Sequence, residues 1–175
     1  MVKAKKPSAQ QPEVLRMASQ KMAVVETRGD PDLVAQQAIS ALYGSVYALK
    51  FDLKKKGIDF KVGAPRARWP NVHLAPKKEW IGIWGLPIPP GTRSLPQKVP
   101  GQTVKIETWK YGTVAQILHL GPYSAEEATV RRLHEFIAAS GYEIAGIHEE
   151  EYLTRPTAKV PKTIIRYPIK KKRKK

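Results

Sequence analysis

Cysteine is absent from the 175 residues, which excludes disulfides, thiolate nucleophiles and any metal site built on sulfur. Long apolar runs are absent too. No stretch approaches the roughly 18 residues that a membrane-spanning helix needs, and the opening MVKAKKPSAQQPEV lacks the apolar segment of a secretory signal. These two absences predict a soluble, cytoplasmic chain with no membrane partner. No G-x-S-x-G elbow, phosphate loop or dinucleotide fingerprint occurs, so neither a nucleophilic triad nor a bound cofactor is expected. His73, His119, His134 and His148 are scattered without paired-ligand spacing, so no metal site is expected either. His134 reads as solvated, and His119, just ahead of a Gly-Pro turn, as a structural hydrogen-bonding residue.

Acid is scarce: 15 Asp and Glu face 31 Lys and Arg, for a formal charge of +16. The surplus is concentrated at the ends. Residues 1–21 hold five basic residues and one Glu, and the final KKKRKK adds six more, leaving +6 for residues 22–169. Both ends are expected to be disordered tails, and residues 170–175 are suited to non-specific phosphate contact with nucleic acid. The hydrophobic fraction of 42% is that of a globular protein, so the part between the tails should fold.

That part reads as two halves in the same order. KMAVVETRGDP is a short apolar strand that ends at Gly29, with Asp30 as N-cap and Pro31 in the first helical position. Val34, Ala38, Leu42, Val46 and Leu49 recur at helical spacing and predict an amphipathic helix over about 31–50. IDFKV and EWIGIWGL read as strands, and PIPPGTRSLPQKVPGQ is a loop, because its prolines lack ladder donors. VKIETWKYGTVAQILHLG is extended, with a turn at Tyr111-Gly112. Ser124 and Glu127 form the S-x-x-E capping pattern ahead of a second helix, whose buried stripe is Val130, Leu133 and Ile137 and whose stop is Gly141. GIHEEEYLT and KTIIRYPI close the second half as strands. The expected fold is therefore α+β: two pseudo-twofold-related strand–helix–strand–strand modules, about 22–97 and 103–169, whose antiparallel sheets form a shared ligand cleft.

The run Glu149-Glu150-Glu151 is unusual in so basic a chain. Strand alternation puts His148, Glu150 and Tyr152 on one face and Glu149, Glu151 and Leu153 on the other. From alternation alone, Glu150 is either a solvated charge or an acid aimed into a pocket. Tyr152 joins an apolar body to a polar handle. Trp69, Trp80 and Trp84, with Tyr47 on the first helix, either wall a cleft for a flat or cationic ligand or pack in a core.

HLGPYSAEEATVRRLHEFIAASGY, followed by GIHEEEYL and KTIIRYPI, resembles the gyrase-inhibitor-like (GyrI-like) small-molecule-binding domain. RGDPDLVAQQAISALYGSVYALK is similar to the N-terminal half of its stand-alone members, so the resemblance covers roughly 22–169. It implies the paired-module fold and a ligand-binding function. The family's acid two residues before a tyrosine falls on Glu150 and Tyr152. In the multidrug-sensing members the resemblance points to, that acid lies in an aromatic-lined pocket and meets cationic ligands. Some stand-alone members are hydrolases that open strained cyclopropanes of DNA alkylators.

This chain departs from those members at APRARWP. Arg66 stands where they carry an acid, and Pro70 replaces the second of paired tryptophans; a further acid position is Tyr111. The resulting expectation is a small-molecule-binding protein that holds an amphipathic aromatic or cationic ligand, anchored by Glu150 and Tyr152 with Trp69, Trp80, Trp84 and Tyr47. A hydrolase using Glu150 as its catalytic acid is the alternative. A basic accessory protein acting on nucleic acid through its tails is a further one.

Overall fold

The computed structural model describes residues 10–173. The described residues form two compact units, 19–110 and 10–18 with 111–173. Each is an antiparallel sheet with one long helix, in the α+β class expected.

In the first unit, β2 (Gln20–Arg28) leads into α1 (Pro31–Lys55), followed by β3 (Arg66–Trp69), β4 (Ile81–Pro87) and β5 (Lys105–Trp109). The sheet order is β3-β4-β2-β5. Gly29 reaches φ +122° at the end of β2, a conformation that side-chain-bearing residues rarely adopt. Asp30 then caps α1, accepting from the Asp32 N–H at 3.0 Å. Ala38, Ala41, Leu42, Ser45, Val46 and Leu49 are buried along one stripe of the helix. Ser45 donates to the Pro96 carbonyl, which pins the proline-rich loop to α1.

The second unit begins with β1 (Glu13–Met17) and continues with β6 (Gly112–Leu120), α2 (Glu127–Ala139), β7 (Tyr142–Ile144), β8 (His148–Tyr152) and β9 (Lys162–Lys171). Its sheet order is β1-β6-β9-β8, with β7 on the far end of β9. Gly121 has φ +123° at the end of β6, the same device as Gly29 at the equivalent strand-to-helix turn. Leu133 and Ile137 of α2 pack with Ala115, Ile117, Ile165, Tyr167 and Ile169, alternate residues of β6 and β9. Burial of that stripe, at about 1.5–3 kcal/mol per large aliphatic side chain, is what holds α2 to the sheet.

Several expectations are corrected here. The N-terminal segment expected to be a disordered tail through residue 21 instead supplies β1 and the start of β2, because VLRM finds a ladder partner in β6. Lys170 and Lys171, placed in the C-terminal tail, extend β9 and pair with Glu143 and Tyr142. Residues 1–9, 174 and 175 lie outside the described residues. The division between halves does not fall in the proline-rich loop, since β5 pairs with β2 and belongs to the first unit. IDFKV is not a strand: Lys50 bonds to Asp59 and to the Phe60 carbonyl, and side-chain capture replaces ladder pairing.

Candidate functional site

Strand β8 presents two faces, and both carry glutamates. On one, Glu149 is 1% exposed. It accepts from Arg166 Nη1 at 2.8 Å and from the Tyr111 hydroxyl at 3.0 Å. Arg166 Nη2 reaches Glu151 at 3.0 Å, and its Nε donates to Gln116 at 2.9 Å. Gln116 in turn donates to Glu13 on β1. Buried Glu149 and half-buried Glu151 are thus the carboxylate half of an arginine-centred network. Arg166 lies directly opposite Glu149 in the β8–β9 register, and a guanidinium can serve two carboxylates at once.

On the other face, Glu150 is 8% exposed. Its Oε2 accepts from the Tyr152 hydroxyl at 2.6 Å, and its Oε1 lies 2.9 Å from His148 Nε2. His148 Nδ1 lies 2.6 Å from the Tyr167 hydroxyl. Burial, then the charges of Glu150 and Glu126, push the Tyr167 hydroxyl well above the usual tyrosine range. Tyr167 therefore stays protonated, and the two ring nitrogens of His148 join its hydroxyl to Glu150.

Glu126 completes this face. Sequence reading placed a capping box at Ser124 and Glu127, but Tyr123–Ala125 form a 3-10 turn, and α2 opens from Glu126 with no side-chain cap. His119 holds the turn, with Nδ1 at 2.8 Å from Thr129 Oγ1 and Nε2 at 3.0 Å from the Pro122 carbonyl. The extra turn leaves Glu126 hydrogen-bonded to Glu150. Burial first, then the Glu150 charge and that hydrogen bond, push the Glu126 carboxyl up to about 9. A helix N-terminus favours the anion by only about 0.3–1 kcal/mol, less than one pH unit, so burial beside Glu150 wins. Glu126 is neutral at neutral pH and donates to Glu150. Its Oε1 is buried without a hydrogen-bond partner.

Aromatic rings flank the pair. Tyr123, 40% exposed, stands edge-on to Tyr152 at 5.5 Å between centroids. Its hydroxyl is also pushed up, by burial and then by Glu150 and Glu126. His134, expected to be solvated, is half-buried and edge-on to Tyr167 at 5.0 Å. Glu126, His148 and Glu150 each place a donor atom within 4.8 Å of the others. The two His148 nitrogens face Tyr167 and Glu150.

Of the six expected site residues, Glu150 and Tyr152 share this face of the second unit. Trp69, Trp80 and Trp84 lie in the first unit, where they meet each other. Trp69 stands 5.2 Å from Trp84 and 5.9 Å from Trp80. Trp69 and Trp84 are each 6% exposed, and Trp84 Nε1 donates to Thr27. Gly82 makes room for them: a Cβ there would lie 3.1 Å from the Trp69 ring and 2.8 Å from Trp84 Nε1. Trp69 and Trp84 are buried and Trp80 is half-buried beside them. Tyr47 stacks with Tyr43 on α1 and lines a separate groove of about 420 Å³ with Lys50, Asp59, Phe60, Lys61 and Val62. Another concavity, about 320 Å³, is lined by Arg28, Gly29, Lys78 and Glu79. Neither contains Glu150. We place the candidate site by its chemistry, at Glu150, because the Tyr47 groove is open and its Lys50 is already paired with Asp59.

Comparison with known proteins agrees with this geometry at the level of fold and family. The GyrI-like small molecule binding domain matches residues 10–170. An uncharacterized conserved protein from Listeria innocua superposes with a TM-score of 0.81 at 23% identity, over 93% of each chain. A hydrolase from Listeria innocua gives 0.78 at 23% identity over 94% of each. The C-terminal domain of EcmrR gives 0.61 at 10% identity, over 93% of this chain and 98% of its own. At these identities the solved structures establish the fold alone. No curated protein sequence matches the chain. Among the described residues, no helix is long and apolar enough to cross a membrane.

Proposed function

The chain belongs to the GyrI-like small molecule binding domain family, and from that premise we propose that its ligand is an amphipathic aromatic cation anchored on Glu150. One observation carries the reading. Among the described residues, Glu126 and Glu150 form a largely buried carboxyl pair that no lysine or arginine neutralises. Glu149 and Glu151, in the same sheet, have Arg166. A site that sets two carboxyl groups without a lysine or arginine partner beside the rings of Tyr123 and Tyr152 is matched to a ligand that brings positive charge on a flat apolar body. Tyr152 orients the anchor through its 2.6 Å hydrogen bond. Buried Trp69 and Trp84 support the first unit's interior in this reading.

The test is binding of crystal violet, an aromatic cation, against its uncharged leuco form, followed by fluorescence quenching. The cation should bind, the leuco form should bind at least tenfold more weakly, and Glu150→Gln should remove the difference, tenfold being about 1.4 kcal/mol. Equal affinity of both dyes, or an unchanged Glu150→Gln, sinks the anchor.

A hydrolase is the second reading, favoured by Glu126. A carboxyl that keeps its proton at neutral pH beside a second carboxyl is an arrangement suited to a general acid next to a water-positioning group. Turnover of a cyclopropane-bearing alkylator, abolished in both Glu126→Gln and Glu150→Gln, distinguishes it from binding alone.

A further inference from the structure

We infer that Glu126 is the second ligand-binding carboxyl of this site, and that a docking cation takes the place of the proton it shares with Glu150. The inference rests on the cation-binding reading and adds to it a residue and a proton. The geometry is specific. Glu150 has His148 and Tyr152 as partners, so it is satisfied without Glu126. Glu126 has only its hydrogen bond to Glu150, while its Oε1 is buried without a partner. Carboxyl atoms of Glu126 and Glu150 lie within 4.8 Å of each other and of His148, so a positively charged group placed there reaches both carboxyls at once.

Among the described residues, no lysine or arginine faces the pair. Tyr123 comes from the 3-10 turn, His148 and Tyr152 from β8, and Tyr167 from β9 through His148. His134 of α2 touches Tyr167, and His119 of β6 is committed to Thr129 and Pro122. Raised hydroxyl values for Tyr123 and Tyr167 keep both neutral.

Balance is simple: the cation enters, the Glu126 O–H breaks, and the proton leaves to solvent. A unit positive charge within about 4–6 Å lowers a carboxyl by about 1–3 units. From about 9, that moves Glu126 through the neutral range, so cation binding at pH 8 releases about half to one proton. Affinity should rise by about fivefold to a few hundredfold between pH 6 and pH 9 for a lowering of about 1–3 units.

The experiment is calorimetric titration of the full chain with crystal violet at pH 8 in two buffers of different ionisation enthalpy, together with a pH series of dissociation constants. Proton release in wild type, and a flat pH dependence without release in Glu126→Gln, is the expected result. Cation binding that depends on Glu150 but exchanges no proton, at any pH from 6 to 9, overturns the inference and leaves the cation reading standing. Release that persists in Glu126→Gln assigns the proton to another group and also overturns it. Absence of cation binding in wild type removes both. Because release is read on wild type, the conclusion does not depend on the variant folding.

Discussion

The two faces of β8 carry carboxylates one residue apart and neutralise them in different ways. Glu149 and Glu151 meet Arg166, which is 4% exposed at its side chain and also bonded to Gln116. Glu150 meets Glu126, and the positive charge there is a proton. The arginine cannot leave without unfolding the sheet, whereas the proton can. One face is thereby built as permanent structure and the other as a site that can accept a cation. The comparison is most easily broken at Arg166. Arg166→Met removes the guanidinium shared by buried Glu149 and half-buried Glu151 and should cost about 3–5 kcal/mol in urea unfolding. Glu150→Gln should cost less than half of that. Equal losses would mean that both faces are structural.

The next largest effect separates the faces by pH. A carboxyl raised above its unfolded value of 4.5 makes the folded state bind more protons. Its stabilising contribution is full below pH 4.5 and is lost as pH rises toward about 9. Between pH 6 and pH 8 wild type should lose about 2–3 kcal/mol, the limit set by about 1.4 kcal/mol per unit for one proton. Glu126→Gln should flatten that slope and be the more stable protein at pH 8, measured by urea midpoints at several pH values. A slope unchanged by the substitution would place the proton elsewhere.

How much of this was legible in the sequence follows from the range of each interaction. Alternation sorted His148, Glu150 and Tyr152 from Glu149 and Glu151, because the two-residue period is local. The α2 stripe of Leu133 and Ile137 was legible for the same reason, as were the Gly29 and Gly121 turns. What alternation could not supply was the neighbour across the ladder. Arg166 opposite Glu149, and Tyr167 beside His148, depend on the β8–β9 register, which no local pattern encodes. Glu126 was hidden more deeply. Ser124 and Glu127 satisfy a capping pattern, so the residue between them drew no attention, and only the 3-10 turn held by His119 brings it to Glu150. β1 escaped because its segment is short and flanked by lysines and polar residues. For the tryptophans the sequence left cleft and core open, and the close approach of the rings over Gly82 depends on the β3–β4 pairing that no local pattern encodes.

The smallest predicted effect sharpens the comparison most finely, since each face has one tyrosine donating to one glutamate. Tyr111 donates to Glu149 at 3.0 Å and Tyr152 to Glu150 at 2.6 Å. Losing a hydrogen bond to a charged group costs about 1.5–3 kcal/mol. Tyr111→Phe should fall at the lower end, because Arg166 still holds Glu149, and it should leave crystal violet binding within twofold of wild type. Tyr152→Phe should cost a similar amount of stability yet weaken dye binding at least fivefold, because Glu150 loses the group that aims it. Comparable stability with divergent affinity is what distinguishes a structural carboxylate from a binding one. If Tyr111→Phe weakened the dye as much as Tyr152→Phe, the ligand would have to be sought on the arginine face instead.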